Sequence, residues 1–177
     1  MKKYSSILCF DGNTSIKTKK GTLRIRDIVP GTKVISYDYL NNLLLEETVV
    51  AVAQSMHNIC AVLVFENGIT IKCTLDHPLY IEGKEWCAVS VNGCNEMYDI
   101  KVAQLEVGDF CLLLEDDKIM STKLISISKI KCSETFYCIS TERYHNFFAN
   151  CFLAHDVNID RFQLDFLSQE CVIVNRL

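Results

Sequence analysis

The sequence contains few of the residues that break regular structure, with only 7 glycines and 2 prolines among its 177 residues. This scarcity argues against collagen-like repeats and against long linkers. Runs of lysine or arginine are missing too, and the net charge is only −4. The cluster of Lys17, Lys19 and Lys20 therefore predicts a solvated loop rather than a surface that binds nucleic acid.

Long apolar stretches are also missing, so the sequence predicts no membrane-spanning segment. The first eight residues lack the apolar core of a signal peptide. Ten cysteines are present, but no two form a C-x-x-C pair, and no Cys/His run has the spacing of a structural zinc site. We therefore expect a cytoplasmic protein with reduced thiols, most of them buried as small hydrophobic residues and at least one a candidate nucleophile.

The length and the 49% of hydrophobic residues suit one globular domain with short tails. Short segments rich in β-branched and aromatic residues recur, each bounded by turn residues, which predicts a mainly β structure. These segments are Thr22–Ile25, Lys33–Tyr37, Thr48–Ala53, Ala61–Phe65, Ile69–Thr74, Phe110–Leu114, Leu124–Ile130 and Phe136–Ser140. The pair Asn67-Gly68 predicts a hairpin turn, because both residues tolerate positive φ.

Helical periodicity is confined to the last twenty residues. There Ile159, Phe162, Phe166 and Leu167 fall at helix-like spacing and predict a short C-terminal helix. The segment Cys171–Val174 reads equally well as a strand, so both elements stay open for this end of the chain.

Two stretches of the sequence share one pattern. Residues 26–34 and 103–111 each have a polar residue, an apolar residue, a turn that ends in glycine, and the start of an apolar strand. A duplicated half-domain leaves such a trace. A chance likeness between two strand entries is the alternative, and we favour a pseudo-symmetric all-β fold.

Two segments in the first half of the chain carry unusual chemistry. Residues 9–18 open with Cys9 ahead of a strand and a turn, and residues 68–80 contain a Thr-x-x-His motif made by Thr74 and His77. A thiol can convert the amide before it to a thioester if the site stabilises the oxyanion and protonates the leaving amine. Thr74 and His77 suit these two roles; an ordinary strand threonine beside a His-Pro turn is the alternative.

A third segment, residues 136–156, contains Cys138, a His-Asn-Phe-Phe-Ala-Asn stretch that starts at His145, and a final His155-Asp156. Together the three segments resemble the sequence blocks of the Hint superfamily, which includes inteins, bacterial intein-like domains and hedgehog autoprocessing domains. The resemblance implies an all-β, pseudo-two-fold symmetric, horseshoe-like fold built from hairpins.

The resemblance also divides the chain into an upstream flanking segment at 1–8, a self-processing domain at 9–156 and a downstream flanking segment at 157–177. Cys9 is then the nucleophile that forms a thioester with Leu8. The flanking segments are the substrate, so we expect a monomer with no cofactor, no metal, no nucleic acid and no membrane partner.

By the same resemblance, Cys138 lies near the first thiol and couples the two cleavages, with a buried core cysteine as the alternative. His145 assists the C-terminal step, and His155 polarises the last carbonyl; plain loop or core histidines are the alternative for both. His57 matches no motif and is predicted to lie in a loop.

The C-terminal junction departs from the family's pattern. Asp156 occupies the position of an asparagine that cyclises, and a carboxylate is the poorer nucleophile for that step. Val157 follows, whereas splicing requires Cys, Ser or Thr at that position. We therefore predict N-terminal cleavage, slow C-terminal cleavage between Asp156 and Val157, and no splicing.

Two other functions remain open at this point. A degenerate Hint fold that serves as a scaffold or interaction module is supported by Asp156 and Val157 and opposed by the retained Cys9 and histidines. A thiol hydrolase that uses Cys9 and His77 on another chain would need a cleft open to peptides.

Overall fold

The structure is a computed structural model that describes residues 8–92, 94 and 100–156, together with the backbone of 171–176. These residues form one 3-10 turn, Ile25–Asp27, and fourteen strands that join in a sheet. The strands are β1 (Phe10–Asp11), β2 (Ser15–Thr18), β3 (Gly21–Arg24), β4 (Lys33–Asp38), β5 (Leu43–Phe65), β6 (Thr70–Cys73), β7 (Leu79–Ile81), β8 (Glu85–Ala88), β9 (Ala103–Gln104), β10 (Phe110–Glu115), β11 (Lys118–Thr141), β12 (Asn146–Ala149), β13 (Phe152–His155) and β14 (Cys171–Arg176).

Two strands of unusual length, β5 and β11, form the centre of the fold. They pair antiparallel along most of their length, with bulges that bend the ribbon. The sequence predicted two separate strands within each of them. The intervening residues, 54–60 and 131–135, contain neither glycine nor proline, so the ladder continues through them. His57 therefore lies on β5 and is buried, and its predicted loop position is wrong.

The repeated sequence pattern builds two equivalent turns. The Gly31 N–H donates to the Val49 carbonyl at 2.8 Å, and the Gly108 N–H donates to the Leu124 carbonyl at 2.8 Å. Both glycines have positive φ, 88° and 103°, which L side chains rarely adopt. Each turn leads into a hairpin, β4–β5 or β10–β11, and the two hairpins pair through their long strands. The predicted pseudo-symmetric all-β fold is confirmed.

Three further predictions concern the Asn67-Gly68 turn and two segments near the C-terminal end of the sequence. The Asn67-Gly68 turn is confirmed, since Gly68 has φ of 83° and joins β5 to β6. Strand β14 confirms the strand interpretation of residues 171–174, and it pairs with the part of β5 from Ala51 to Ser55. The predicted helix at residues 159–167 lies outside the described residues.

Apolar side chains pack into a large core cluster and two smaller ones. The large cluster includes the stacked rings of Phe65 and Phe152, with centroids 3.9 Å apart. One of the smaller clusters contains Leu8, Cys9 and Cys138, so the N-terminal junction is part of the packed interior. No helix formed by the described residues is long and apolar enough to span a membrane.

Candidate functional site

Cys9 lies immediately before β1 and is fully buried together with Leu8. The next residue, Phe10, pairs with Tyr137 on the antiparallel strand β11. Continued by one residue, this register brings Cys9 opposite Cys138. Both cysteines also belong to the same apolar cluster.

Thr74 contacts the backbone of Cys9 on the opposite side from β11. Its N–H donates to the Cys9 carbonyl at 2.9 Å, and its Oγ1 accepts from the Cys9 amide N–H at 3.2 Å. That N–H belongs to the peptide bond between Leu8 and Cys9. The Thr74 hydroxyl therefore lies at the nitrogen of this bond, whereas the sequence analysis assigned it to the carbonyl oxygen.

His77 follows in the turn after β6, and its ring packs against Phe10 with centroids 3.9 Å apart. Neither ring nitrogen has a hydrogen-bond partner of good geometry among the described residues. Burial, together with the nearby His155, lowers the pKa of His77 to about 3 despite polar contacts with the backbone of His155 and Cys9. His77 is thus a neutral imidazole at neutral pH, close to the backbone of Cys9.

Most of the other cysteines have no sign of reactivity. None of the nine cysteines with described side chains forms a disulfide. Burial raises the pKa of Cys87 to about 11 and that of Cys94 to about 12, and it raises the pKa of Cys73 and Cys111 as well. Thiols of this kind stay protonated and inert. This confirms the prediction that most of the cysteines serve as small buried hydrophobic residues.

The sequence analysis missed a polar pair beside Cys9. Its Sγ lies 3.8 Å from Ser55 Oγ, and that oxygen lies 2.5 Å from His57 Nε2. Ser55 and His57 are both buried, and they share one face of β5 because strand residues two apart point the same way. The signal was a Ser-x-His pair, but it becomes meaningful only once residues 54–60 are known to be strand.

The C-terminal junction is built around the buried carboxylate of Asp156. Its Oδ2 accepts hydrogen bonds from the backbone N–H of Thr141 and, at 2.7 Å, from the Thr141 hydroxyl. Its Oδ1 lies 3.1 Å from Nδ1 of His145, and this carboxylate raises the pKa of His145 by favouring the imidazolium. The carboxylate therefore has three polar contacts, and the sequence analysis missed Thr141.

His155 contacts the carbonyl group of Asp156. Its Nδ1 lies 2.7 Å from that oxygen, and because a carbonyl oxygen only accepts, Nδ1 carries the proton and donates it. The ring stands edge-on to Trp86, with centroids 4.9 Å apart, and burial lowers the pKa of His155. His155 is therefore a neutral donor to the carbonyl at which C-terminal cleavage is predicted.

The two junctions lie next to each other. Strand β13 pairs with β7, and the His155 N–H donates to the carbonyl of Pro78, the residue after His77, at 3.1 Å. One region of the fold thus contains every predicted site residue, four at the N-terminal junction and three at the C-terminal one. Among residues 8–92, 94 and 100–156, no group of three His, Cys, Asp or Glu side chains is arranged to hold a metal ion.

Comparison with known proteins gives one family and one fold. The model of the family described as the Ataxin-1 and HBP1 module (AXH) matches residues 10–116, which is more than half of the chain. No curated protein sequence matches the chain.

Solved structures of inteins share the fold. A bacterial intein-like domain from Clostridium thermocellum superposes with a TM-score of 0.69 at 22% identity, over 85% of this chain and 100% of that one. A DnaB intein from Synechocystis sp. PCC 6803 gives 0.67 at 18% identity, over 85% and 99%. The Ssp DnaB mini-intein variant M86 gives 0.67 at 17% identity, over 85% and 95%. The chain therefore has the intein-like Hint fold.

Proposed function

This chain belongs to the AXH family by its sequence and has the fold of inteins, and from this fold we propose that residues 9–156 form a self-processing domain. In this domain the Cys9 thiol attacks the carbonyl carbon of Leu8 and cleaves the bond before itself. The AXH match contributes nothing to the proposal, since it begins after Cys9 and ends before the C-terminal junction.

The observation that carries the proposal is the set of contacts around the peptide nitrogen of Cys9. The Thr74 hydroxyl is hydrogen-bonded to this nitrogen at 3.2 Å, and the buried imidazole of His77 lies beside the same backbone. A hydroxyl at this position can hold the nitrogen as it changes from amide to amine. Nitrogen, not oxygen, is therefore the atom that Thr74 serves in the proposed reaction.

The proposed step conserves atoms and protons. A bond forms between the Cys9 sulfur and the Leu8 carbonyl carbon, and the bond from that carbon to the Cys9 nitrogen breaks. The thiol loses one proton and the nitrogen gains one, so the product is a thioester with a free amine. His77 delivers the proton to nitrogen, because a histidine with so low a pKa is a strong acid whenever it is protonated.

The C-terminal step is proposed to be slow. His155 donates to the Asp156 carbonyl oxygen, which supports polarisation of the bond to Val157. The Asp156 carboxylate would have to leave its contacts with Thr141 and His145 to attack that carbonyl. Val157 offers no nucleophile to receive the N-terminal segment. The thioester is therefore resolved by water, by an external thiol, or by the neighbouring Cys138, and splicing does not follow.

The substrate in this proposal is the chain's own flanking polypeptide, so a monomer suffices and no cofactor takes part. We propose a reducing, cytoplasmic location, which is supported by nine described cysteines that form no disulfide.

Incubation of the purified protein with dithiothreitol tests the proposal. Mass spectrometry under denaturing conditions should show loss of residues 1–8 from the wild type and no loss from Cys9→Ala. Denaturing conditions matter because β14 pairs with β5 and would hold a cleaved downstream segment in place. Cys87→Ala is the matched control, since it removes another fully buried thiol, and it should release the segment at the wild-type rate.

A second candidate, a non-catalytic scaffold with the Hint fold, is favoured by the well-bonded Asp156 and by Val157. The same experiment separates the two functions. A wild-type chain that keeps its full mass under thiol, with Cys9 intact, would support the scaffold and contradict self-processing.

A further inference from the structure

We infer that Ser55 and His57 form a proton relay that ionises the Cys9 thiol. The inference rests on the proposed function, which needs a thiolate but leaves the acceptor of the thiol proton unassigned. A thiol is a weak nucleophile until it loses its proton, so an acceptor beside it determines how fast it attacks.

The three groups form a continuous line of polar atoms. Cys9 Sγ lies 3.8 Å from Ser55 Oγ, within reach of a hydrogen bond to sulfur, and Ser55 Oγ lies 2.5 Å from His57 Nε2. A hydroxyl can accept a proton from one neighbour while it donates its own to another, so Ser55 can connect the thiol to the imidazole. Cys9 therefore stands as the nucleophile, Ser55 as the connecting hydroxyl and His57 as the base.

The fold holds this line in place within the packed interior. Ser55 is 7% exposed and His57 8% exposed, and the His57 ring stands edge-on to Phe136 with centroids 5.4 Å apart. On the adjacent strand β11, Phe136 pairs with Ser55, and the Cys132 thiol donates to the His57 carbonyl at 3.2 Å. A buried serine and histidine that served packing alone could be replaced by apolar residues, so their presence next to a thiol calls for a chemical role.

Several titratable groups of the described residues lie near the relay. Around His57 lie the thiols of Cys9 and Cys132 and, opposite it on β11, Glu134 in an ion pair with Lys72. Because Glu134 is already paired, its charge is partly compensated at this position.

His77 is poorly suited to the same task. Its ring packs on Phe10 and its pKa of about 3 makes it a weak proton acceptor. A division of labour follows, in which the Ser55–His57 pair removes the proton from sulfur and His77 supplies one to nitrogen.

In the relay step, one proton moves on each side of the Ser55 hydroxyl oxygen. The Cys9 S–H proton moves to Ser55 Oγ while the Ser55 O–H proton moves to His57 Nε2, which leaves a thiolate and an imidazolium. The thiolate then attacks the Leu8 carbonyl carbon. His57 later returns its proton to solvent water, and His77 takes from solvent the proton that it gives to the Cys9 nitrogen, so no net proton is consumed.

The test compares Ser55→Ala, His57→Gln and the double variant with the wild type, using thiol-induced release of residues 1–8 as the readout. Ser140→Ala is the matched control, because it removes the hydroxyl of another buried serine on a strand of the sheet. Loss of a general base costs about a hundredfold or more in rate. We expect each single variant at pH 7 to slow release by about a hundredfold, the double variant to be no slower than either single one, and Ser140→Ala to match the wild type.

Dependence on pH distinguishes the relay from a structural role. As pH rises from 7 to 9.5, hydroxide can remove the thiol proton in place of the relay, so the deficit of Ser55→Ala and His57→Gln relative to the wild type should shrink. Ser55→Thr keeps the hydroxyl and should retain most of the rate at pH 7. A deficit that stays constant at every pH, or failure of Ser55→Thr to restore the rate, would overturn the relay.

The outcomes also separate this inference from the proposed function. If the wild type releases residues 1–8 and both relay variants do so at the Ser140→Ala rate at pH 7, the relay is wrong and self-processing stands. If the wild type releases nothing under any condition, both are wrong. A thermal melt of each variant shows whether it remains folded; a variant that does not fold is replaced by Ser55→Thr, whose rate at pH 7 then decides.

Discussion

The two junctions of this chain hold their candidate nucleophiles in different ways. The Cys9 thiol lies in an apolar cluster, with the Ser55 hydroxyl 3.8 Å away and a neutral His77 close by. The Asp156 carboxylate accepts two hydrogen bonds from Thr141 and faces His145 at 3.1 Å. The first nucleophile thus lies among apolar side chains, whereas the second accepts hydrogen bonds from Thr141.

This difference explains why one fold would favour cleavage before Cys9 over cleavage after Asp156. Hydrogen bonds to charged groups contribute about 1.5–3 kcal/mol each, and a carboxylate that attacks its own carbonyl gives up part of them. The C-terminal junction nevertheless keeps a polarised carbonyl through His155, so its weakness lies in the nucleophile rather than in the electrophile.

The largest effect is expected from His77→Gln. The variant should slow thiol-induced release of residues 1–8 by about a thousandfold, because it removes the proton donor to the leaving nitrogen. Cleavage after Asp156 should change by no more than a few fold, since His155 and its bond to that carbonyl remain. Both rates can be followed by mass spectrometry in one time course.

Ile71→Val is the control for that variant. It lightens a fully buried side chain on the strand that precedes His77 and costs about 1 kcal/mol of stability without touching the site. Its release rate should equal that of the wild type. If Ile71→Val slowed release of residues 1–8 as much as His77→Gln, the release rate would depend on the stability of the fold. The difference between the two junctions would then not be explained by His77.

Asp156→Asn is expected to accelerate cleavage before Val157, and this effect is smaller than the slowing caused by His77→Gln. A neutral amide is not held by charge-assisted bonds, and relief of about 2 kcal/mol corresponds to about a thirtyfold faster cleavage before Val157. Release at Cys9 should not change. The measurement is the amount of residues 157–177 freed over time under denaturing conditions, with Glu47→Gln, a buried carboxylate near the same loop, as the matched control. An unchanged rate in Asp156→Asn would show that the nucleophile does not limit this junction.

The smallest effect concerns how the free energy of unfolding depends on pH. The histidines His77 and His145 of the two junctions should change it in opposite directions as pH rises. The pKa of His77 is lowered on folding, so its contribution is present above its unfolded pKa and is lost in acid, at about 1.4 kcal/mol per pH unit below pH 6.5. The pKa of His145 is raised, so its contribution is present below the unfolded pKa and is lost as pH rises through the folded value. Because the His145 side chain is 38% exposed, solvent screening keeps its effect well under 1 kcal/mol.

Urea unfolding of His77→Gln and His145→Gln at pH 5 and pH 8 measures these contributions. His77→Gln should lose less stability than the wild type between pH 8 and pH 5. His145→Gln should differ from the wild type more at pH 5 than at pH 8. If both substitutions changed the pH dependence of the unfolding free energy in the same direction, the assigned protonation states of His77 and His145 would be contradicted.

Local signals predicted much of the fold. Gly31, Gly108 and Asn67-Gly68 mark turns that need positive φ, so their places could be found without knowledge of the rest of the chain. The great length of β5 and β11 could not be found in this way. It depends on pairing between residues 59 to 92 positions apart, and polar segments such as 54–60 become strand only because a partner strand lies beside them.

The residues of the candidate site also differ in whether the sequence alone could reveal them. Cys9, Thr74 and His77 stand in recognisable motifs, and the register of β1 against β11 brings Cys138 to the first of them. Ser55, His57 and Thr141 belong to no motif. Their importance follows from the face of the strand on which each lies, and that face is set by register, which the sequence alone does not specify.

Trapping of the thioester tests the central claim most directly. Hydroxylamine cleaves thioesters at neutral pH and leaves ordinary peptide bonds intact, so incubation of the folded protein should release residues 1–8 as a hydroxamate that ends at Leu8. The account predicts this product from the wild type and from Cys87→Ala, and its absence from Cys9→Ala. No hydroxamate from the wild type, or an equal amount from Cys9→Ala, would contradict the claim that the Cys9 thiol breaks the bond before it.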